Sequence, residues 1–170
     1  RIIKAEHINL GIDDLDVYLE RDQVLKCVEL IRKTRPDVII THSPDDYMPD
    51  HTVTSNLIFN ASFIATLPHT KTEHRYFEKL TPIYYMDTVA GVKFQPTDYV
   101  DISGTFATKK KMLSCHKSQL KWLKEHDKTD ILEFIDTIAR FRGLQCGVLY
   151  AEGFQKAEAW GRNRTKRLLP

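Results

Sequence analysis

Pro36-Asp-Val-Ile-Ile-Thr-His-Ser-Pro-Asp-Asp-Tyr-Met-Pro-Asp-His51 is the stretch on which the reading of this chain turns. Its first half, Asp37–Thr41, is a short run rich in β-branched residues, the pattern of a strand buried in a parallel sheet. Its second half, Thr41–His51, gathers two histidines, three aspartates and a tyrosine into eleven residues. Upstream, Arg21–Arg35 places Val24, Leu25, Val28 and Ile31 at helical spacing and stops before Pro36. Downstream, a helix fits His51–Ala65, with Asp50 suited to cap its N-terminus.

The same alternation continues outward. Ile2–Leu10 is strand-like. Pro68–Leu80 is polar and reads as an excursion between elements. Thr81–Met86 and Asp98–Ile102 are strand candidates separated by a turn that contains Gly and Pro. Phe106–His126 sets Leu113, His116, Leu120 and Leu123 along one helical face, and Asp130–Arg142 does the same with Ile131, Phe134, Ile135 and Ile138. Gly143 and Gly147 then interrupt the pattern before Val148–Phe154. Strand–helix–strand–helix order implies an α/β fold: a Rossmann-like, mostly parallel sheet with helices on both faces, formed by one domain over residues 1–170. In such sheets ligands bind beyond the carboxyl ends of the strands, which puts Thr41–His51 at the functional edge.

Composition narrows the classes. The chain has 170 residues, 42% hydrophobic and 28% charged, enough to bury a proper core. A formal net charge of +2 implies no nucleic-acid partner. The basic run Arg162–Arg167 reads as a solvated tail. Cys27, Cys115 and Cys146 are widely spaced and odd in number, which argues for reduced thiols in a cytoplasmic protein, acting as core fillers rather than as nucleophiles or zinc ligands. No apolar run reaches the roughly 20 residues of a membrane span. None of the seven glycines forms G-x-G-x-x-G or G-x-x-x-x-G-K, so a nucleotide-binding domain has no phosphate loop.

The loop's chemistry has two readings. Imidazole and carboxylate are the donors that suit catalytic zinc, and His51 at a helix start would have a fixed ring position with Asp50 beside it. Equally, Asp50 can be a plain helix cap and His51 a surface residue. Spacing does not choose between them.

The Pro36–His51 string resembles the second motif of the LmbE/PIG-L de-N-acetylases, in which a "P-D-V-(I/V)-x-T-H" strand leads into a loop ending "H-x-D-H". Phe141-Arg-Gly-Leu-Gln-Cys-Gly-Val-Leu-Tyr-Ala-Glu-Gly-Phe154 is similar to the family's "R-G-x-x-x-G-x-x-Y-A-E-x-F" segment. His116-Lys-Ser-Gln119, inside Lys111–Gln119, resembles its "Y/H-K-S-Q" helix. The resemblance implies a hydrolase that uses Zn2+, or Fe2+, to remove the acetyl group from an N-acetylated amino sugar or its conjugate. It implies His51 as a metal ligand and Asp50 as the acidic residue that holds an active-site histidine or the ligand in place. Asp45, Asp46, Tyr47 and Met48 become candidate substrate contacts. Met48 stands where many members carry a histidine that stabilises the oxyanion or protonates the leaving amine; by residue type His42 and His116 are its candidate substitutes, the alternative for each being a hydrogen-bonded structural histidine. Tyr150 and Glu152 also match family positions, and the family allows a homo-oligomer. The family's first motif, A-H-P-D-D-E, supplies the remaining ligands and the general-base aspartate. It does not occur here, and Asp13-Asp14 lacks the histidine and fits better as a substrate-side loop. The expectation is therefore a C-terminal portion of the enzyme, with that motif upstream of Arg1, inactive alone and with one side of its core bare. Met48 leaves one rival, a non-catalytic relative kept for binding or assembly.

Overall fold

The structure, a computed structural model, describes residues 2–163 and residue 169. Of the basic run Arg162–Arg167, residues 164–167 lie outside the described residues. The elements follow one another as α1 (Arg21–Thr34), β1 (Ile39–Thr41), α2 (Pro49–Ile64), β2 (Ile83–Met86), a 3-10 turn (Val89–Gly91), β3 (Asp98–Asp101), α3 (Phe106–Leu113), α4 (Lys117–His126), α5 (Ile131–Cys146) and β4 (Ala151–Lys156). Hydrogen-bonded neighbours, taken in turn, give the strand order β1-β2-β4-β3. The chain resolves into two compact units.

The larger unit comprises residues 8–97 and 154–169. Here β1 runs parallel to β2, with Thr41 opposite Tyr85, and β4 closes on the other side of β2 as an antiparallel strand, with Met86 opposite Phe154. The core lies between α1 and α2: Cys27, Val28 and Ile31 pack with Leu57, Ala61 and Ala65. Helix α1 ends where Arg35 adopts a left-handed conformation (φ 47°) and donates its N–H to Ile31 O, just before Pro36 forbids another turn. Arg32 is only 2% exposed, and its guanidinium donates to the carbonyls of Ala65, Leu67 and Thr70 and to Thr72 Oγ1. That cation satisfies the free carbonyls at the end of α2 and gathers the polar excursion onto the helices.

The smaller unit comprises residues 1–7 and 98–153. Ile102, Phe106 and Ala139 form its core with Val100 and Tyr150. Asp130 caps α5 by accepting from the N–H groups of Leu132 and Glu133. Gly147, at φ 81°, ends that helix and donates its N–H to Gly143 O.

Five expectations need correction. Ile2–Leu10 forms no strand: no other chain segment pairs with it among the described residues, and a lone β-branched run has nothing to complete its ladder. Phe106–His126 is two helices, broken at Ser114–His116, because the Cys115 and His116 N–H groups turn back three residues to the Met112 and Leu113 carbonyls. Strand β1 is buried on one face only. Its sole hydrogen-bonded neighbour is β2 among the described residues, and Ile40 on the other face is 47% exposed. Of the three free thiols, only Cys27 fills the core; Cys115 and Cys146 are exposed. Arg162, read as part of a solvated tail, is buried, donates to the Thr81 and Phe59 carbonyls and lies 4.6 Å over the Phe59 ring.

Candidate metal centre

Because β1 and β2 are parallel, the loops that leave them emerge at one edge of the sheet, and the loop from His42 to Met48 passes from that edge into α2. Ser43 shapes its turn. It is 1% exposed, its Oγ accepts from the Asp45 N–H at 3.2 Å, and its carbonyl accepts from the Asp46 N–H at 3.3 Å. This serine was not among the residues the sequence singled out, although Ser-Pro-Asp-Asp is a turn signal. Helix α2 begins earlier than its sequence implies: Met48 is the N-cap, Pro49 takes the first helical position that suits its fixed φ, and Asp50 lies within the first turn. Asp50 is thus not the cap, and no side chain caps this helix. Its charge still complements the positive end of the helix.

Asp46 is buried beneath this turn. One oxygen, Oδ1, accepts the Met48 N–H at 3.0 Å, and the other, Oδ2, lies 2.9 Å from His51 Nδ1. The His51 side chain is 19% exposed and that of Asp46 only 1%. On its face the His51 ring stacks on His42, centroids 3.9 Å apart and planes within 15°. Asp50 Oδ2 stands 3.9 Å from His51 Nε2, the other ring nitrogen, while Asp50 Oδ1 is buried and has no hydrogen-bond partner among the described residues. Asp45 and Tyr47 are exposed at the rim, and Met48 is half-buried. His116 belongs to the smaller unit, where it is the exposed N-cap of α4. Asp13 and Asp14 lie in an exposed turn closed by the Asp16 N–H on Asp13 O.

Electrostatics sharpens two of these groups. Burial, and next the charge of His51, push the His42 imidazole below its ordinary pKa, against the pull of Asp46 and Asp50, so a neutral ring is favoured. For Asp46 burial is the largest single influence and raises its pKa. The Met48 N–H, the His51 hydrogen bond and the two imidazole charges together outweigh it and hold the carboxyl below the usual range. Tyr85, opposite Thr41 at the same sheet edge, has its phenol pushed up by burial, with Asp45 adding and Arg162 opposing. Tyr85 also escaped the sequence reading, because a tyrosine inside a strand run looks like packing.

His42, Asp46 and His51 can bring three ligand atoms within 4.8 Å of one another. Asp46 is already committed to His51 Nδ1, so the arrangement favours His51 Nε2 as the donor with a carboxylate behind it, the usual support for a metal-binding histidine. Asp50, whose Oδ2 stands 3.9 Å from Nε2, also carries a buried oxygen, Oδ1, without a partner among the described residues; such an oxygen is what a site for a cation or its water would contain, and the residues present fit zinc.

The sequence model of the GlcNAc-PI de-N-acetylase family, PIG-L, matches residues 1–62, a segment that includes this loop. No curated protein sequence matches the chain with significance. Several solved structures are similar to it, three of which follow. The 4-carboxy-2-hydroxymuconate hydratase GalB of Pseudomonas putida is 22% identical with a TM-score of 0.73, covering 92% of this chain and 65% of its own. A conserved protein of Thermus thermophilus is 27% identical with a TM-score of 0.74, covering 86% of this chain and 63% of its own. The N,N'-diacetylchitobiose deacetylase of Pyrococcus horikoshii, solved with an inhibitor, is 25% identical with a TM-score of 0.70, covering 85% of this chain and 54% of its own. The chain thus spans less than two thirds of the length of the structures it matches. At 22% identity the hydratase attests the fold alone. Among the described residues no helix is long and apolar enough to cross a membrane. The strands and helices laid out from Arg21 to Lys156 are those of the LmbE-like fold, and residues 1–62 carry the signature of the PIG-L de-N-acetylase family.

Proposed function

We propose that this chain contributes to a zinc-dependent N-deacetylase that acts on an N-acetylated amino sugar or its conjugate. The observation that carries the reading is the fixed His51: Nδ1 is tied to Asp46, and Nε2 is turned to a carboxylate with an unpaired oxygen. Fold alone would not decide, since one protein of this fold is a hydratase. The family match over the loop and the deacetylase relative support the amide-cleaving class.

His51 would hold the zinc ion, which when bound would supply Lewis-acid polarisation of the acetyl carbonyl and a lowered pKa for water. The chain's own side chains do the rest. Asp50 Oδ1 accepts a hydrogen bond from the attacking water and fixes its direction. His42, as neutral imidazole, has an N–H to donate to the oxyanion of the tetrahedral state, a role that needs no positive charge. Asp45 and Tyr47, both exposed, are the groups that bind sugar hydroxyls in this reading. Met48, half-buried at the start of α2, offers a thioether and gives up no proton. His116 receives no role in this reading.

Met48 also favours a second reading, a non-catalytic relative, because the side chain at that position has no proton to give. Release of acetate from an N-acetylglucosamine conjugate by the zinc-loaded full-length protein separates the two. Acetate release that is lost in His51→Ala is expected; a full-length protein that binds no zinc and releases no acetate sinks the enzyme reading.

A further inference from the structure

We infer that Asp46 is a positioning residue, which with the Met48 amide sets the tautomer of His51 and so decides whether His51 can bind a metal. The inference deepens the deacetylase proposal and rests on it where zinc is concerned. An ionised carboxylate only accepts hydrogen bonds, so the 2.9 Å contact between Asp46 Oδ2 and His51 Nδ1 requires the proton on Nδ1. That leaves the lone pair on Nε2, on the side of the ring where Asp50 stands. His42 covers the ring face, which opposes rotation of the imidazole away from this orientation.

The Met48 N–H makes the arrangement directional. It donates to Asp46 Oδ1 at 3.0 Å, so whatever side chain occupies position 46 must present an acceptor there. An asparagine satisfies the Met48 amide only with its oxygen in the Oδ1 position, which turns its NH2 group toward His51 Nδ1. His51 then has to accept at Nδ1 and carry its proton on Nε2. In this context Asp46→Asn is nearly isosteric, yet it inverts the tautomer and occupies the nitrogen that would bind the ion. Asp46 therefore acts on the metal through His51 rather than as a substrate contact, the role its place in the loop motif implies.

The test has a metal-free arm and a metal arm, both on the full-length protein. In the metal-free arm, nitrogen chemical shifts of the His51 ring are recorded at about pH 8, above the ordinary histidine range. The native protein is expected to show a protonated Nδ1 and a bare Nε2, and Asp46→Asn the reverse. A native His51 with its proton on Nε2 overturns the inference, whether or not any variant folds. In the metal arm, competition with a chelator measures zinc affinity. Asp46→Asn is expected to weaken zinc about 10–100-fold, the usual cost of losing such a partner, while its melting temperature without zinc stays near the native one. An inverted tautomer with unchanged zinc affinity also overturns it. If His51→Ala binds zinc as tightly as the native protein, the metal reading fails, while the metal-free arm still judges the hydrogen bond by itself.

Discussion

Gly143 stands where a helix and the chain leaving it come close together. A Cβ built there would lie 2.6 Å from Val148 O and 2.8 Å from Leu149 O, both backbone atoms that cannot rotate aside. Two effects compete in Gly143→Ala. Alanine gains about 1 kcal/mol of helix propensity over glycine, but the overlap must be relieved by moving the turn that leads from α5 into β4. Strain of this kind costs about 1–3 kcal/mol, and with two carbonyls involved the clash wins. Urea unfolding should place Gly143→Ala about 1–2 kcal/mol below the native protein; a more stable variant would show that the close approach is not there. The glycine of the Phe141-Arg-Gly segment is thus explained by packing, a meaning the motif alone does not reveal. The same holds for Tyr150, whose ring stacks on Phe106 at 3.9 Å and whose hydroxyl accepts from Arg140, and for Glu152, which pairs with Lys109.

At the scale of elements, α1 serves as a clamp. Arg32 and Glu29 lie three residues apart on it, so they share a face, and together they hold the segment after α2. Arg32→Met keeps much of the side chain's volume but takes the donor from the Leu67 and Thr70 carbonyls, while Ala65 O keeps the Phe77 N–H. Each lost bond to a charged group is worth roughly 1.5–3 kcal/mol, so a loss of about 3 kcal/mol is expected in the urea midpoint converted to free energy. Glu29 accepts the His74 N–H at 3.1 Å and also pairs with the His74 ring. For its carboxyl burial is the largest influence and raises the pKa, but the hydrogen bonds from His74 and Thr72 with the His74 charge prevail and leave it below its ordinary 4.5. A carboxyl lowered on folding contributes stability that is complete above the unfolded value and is lost as pH falls through the folded one. The stability gap between the native protein and Glu29→Gln should therefore be present at about pH 5 and close as pH falls below about 4. A gap independent of pH would mean that the carboxylate charge plays no part.

Across the whole chain, what was legible in the sequence was whatever local pattern controls. Helix α1, the strands that become β1 and β2, the helix beginning near Asp130 and the loop that holds His51 were all readable from period, punctuation and residue type. What pattern does not encode is pairing across distance. Nothing in Ile2–Leu10 says that it lacks a partner strand, and nothing near Glu29 points to His74, which is 45 residues away. The site shows the same division. His51 was legible as a candidate ligand, whereas the His42 stack and the Asp46 hydrogen bond depend on how the Ser43 turn folds back on α2. A site assembled by folding is tied to the folded state, and this gives the last prediction. Unfolding releases His42, Asp46, Asp50 and His51 from one another, so an ion that needs their joint geometry binds the native state alone. Zinc at 100 times its dissociation constant should then add about 2.7 kcal/mol to stability. For a chain of this size that is a rise of roughly 5–10 °C in melting temperature. A chelator should reverse the rise, and His51→Ala should not show it. An equal rise in His51→Ala would place the ion elsewhere and detach it from this loop.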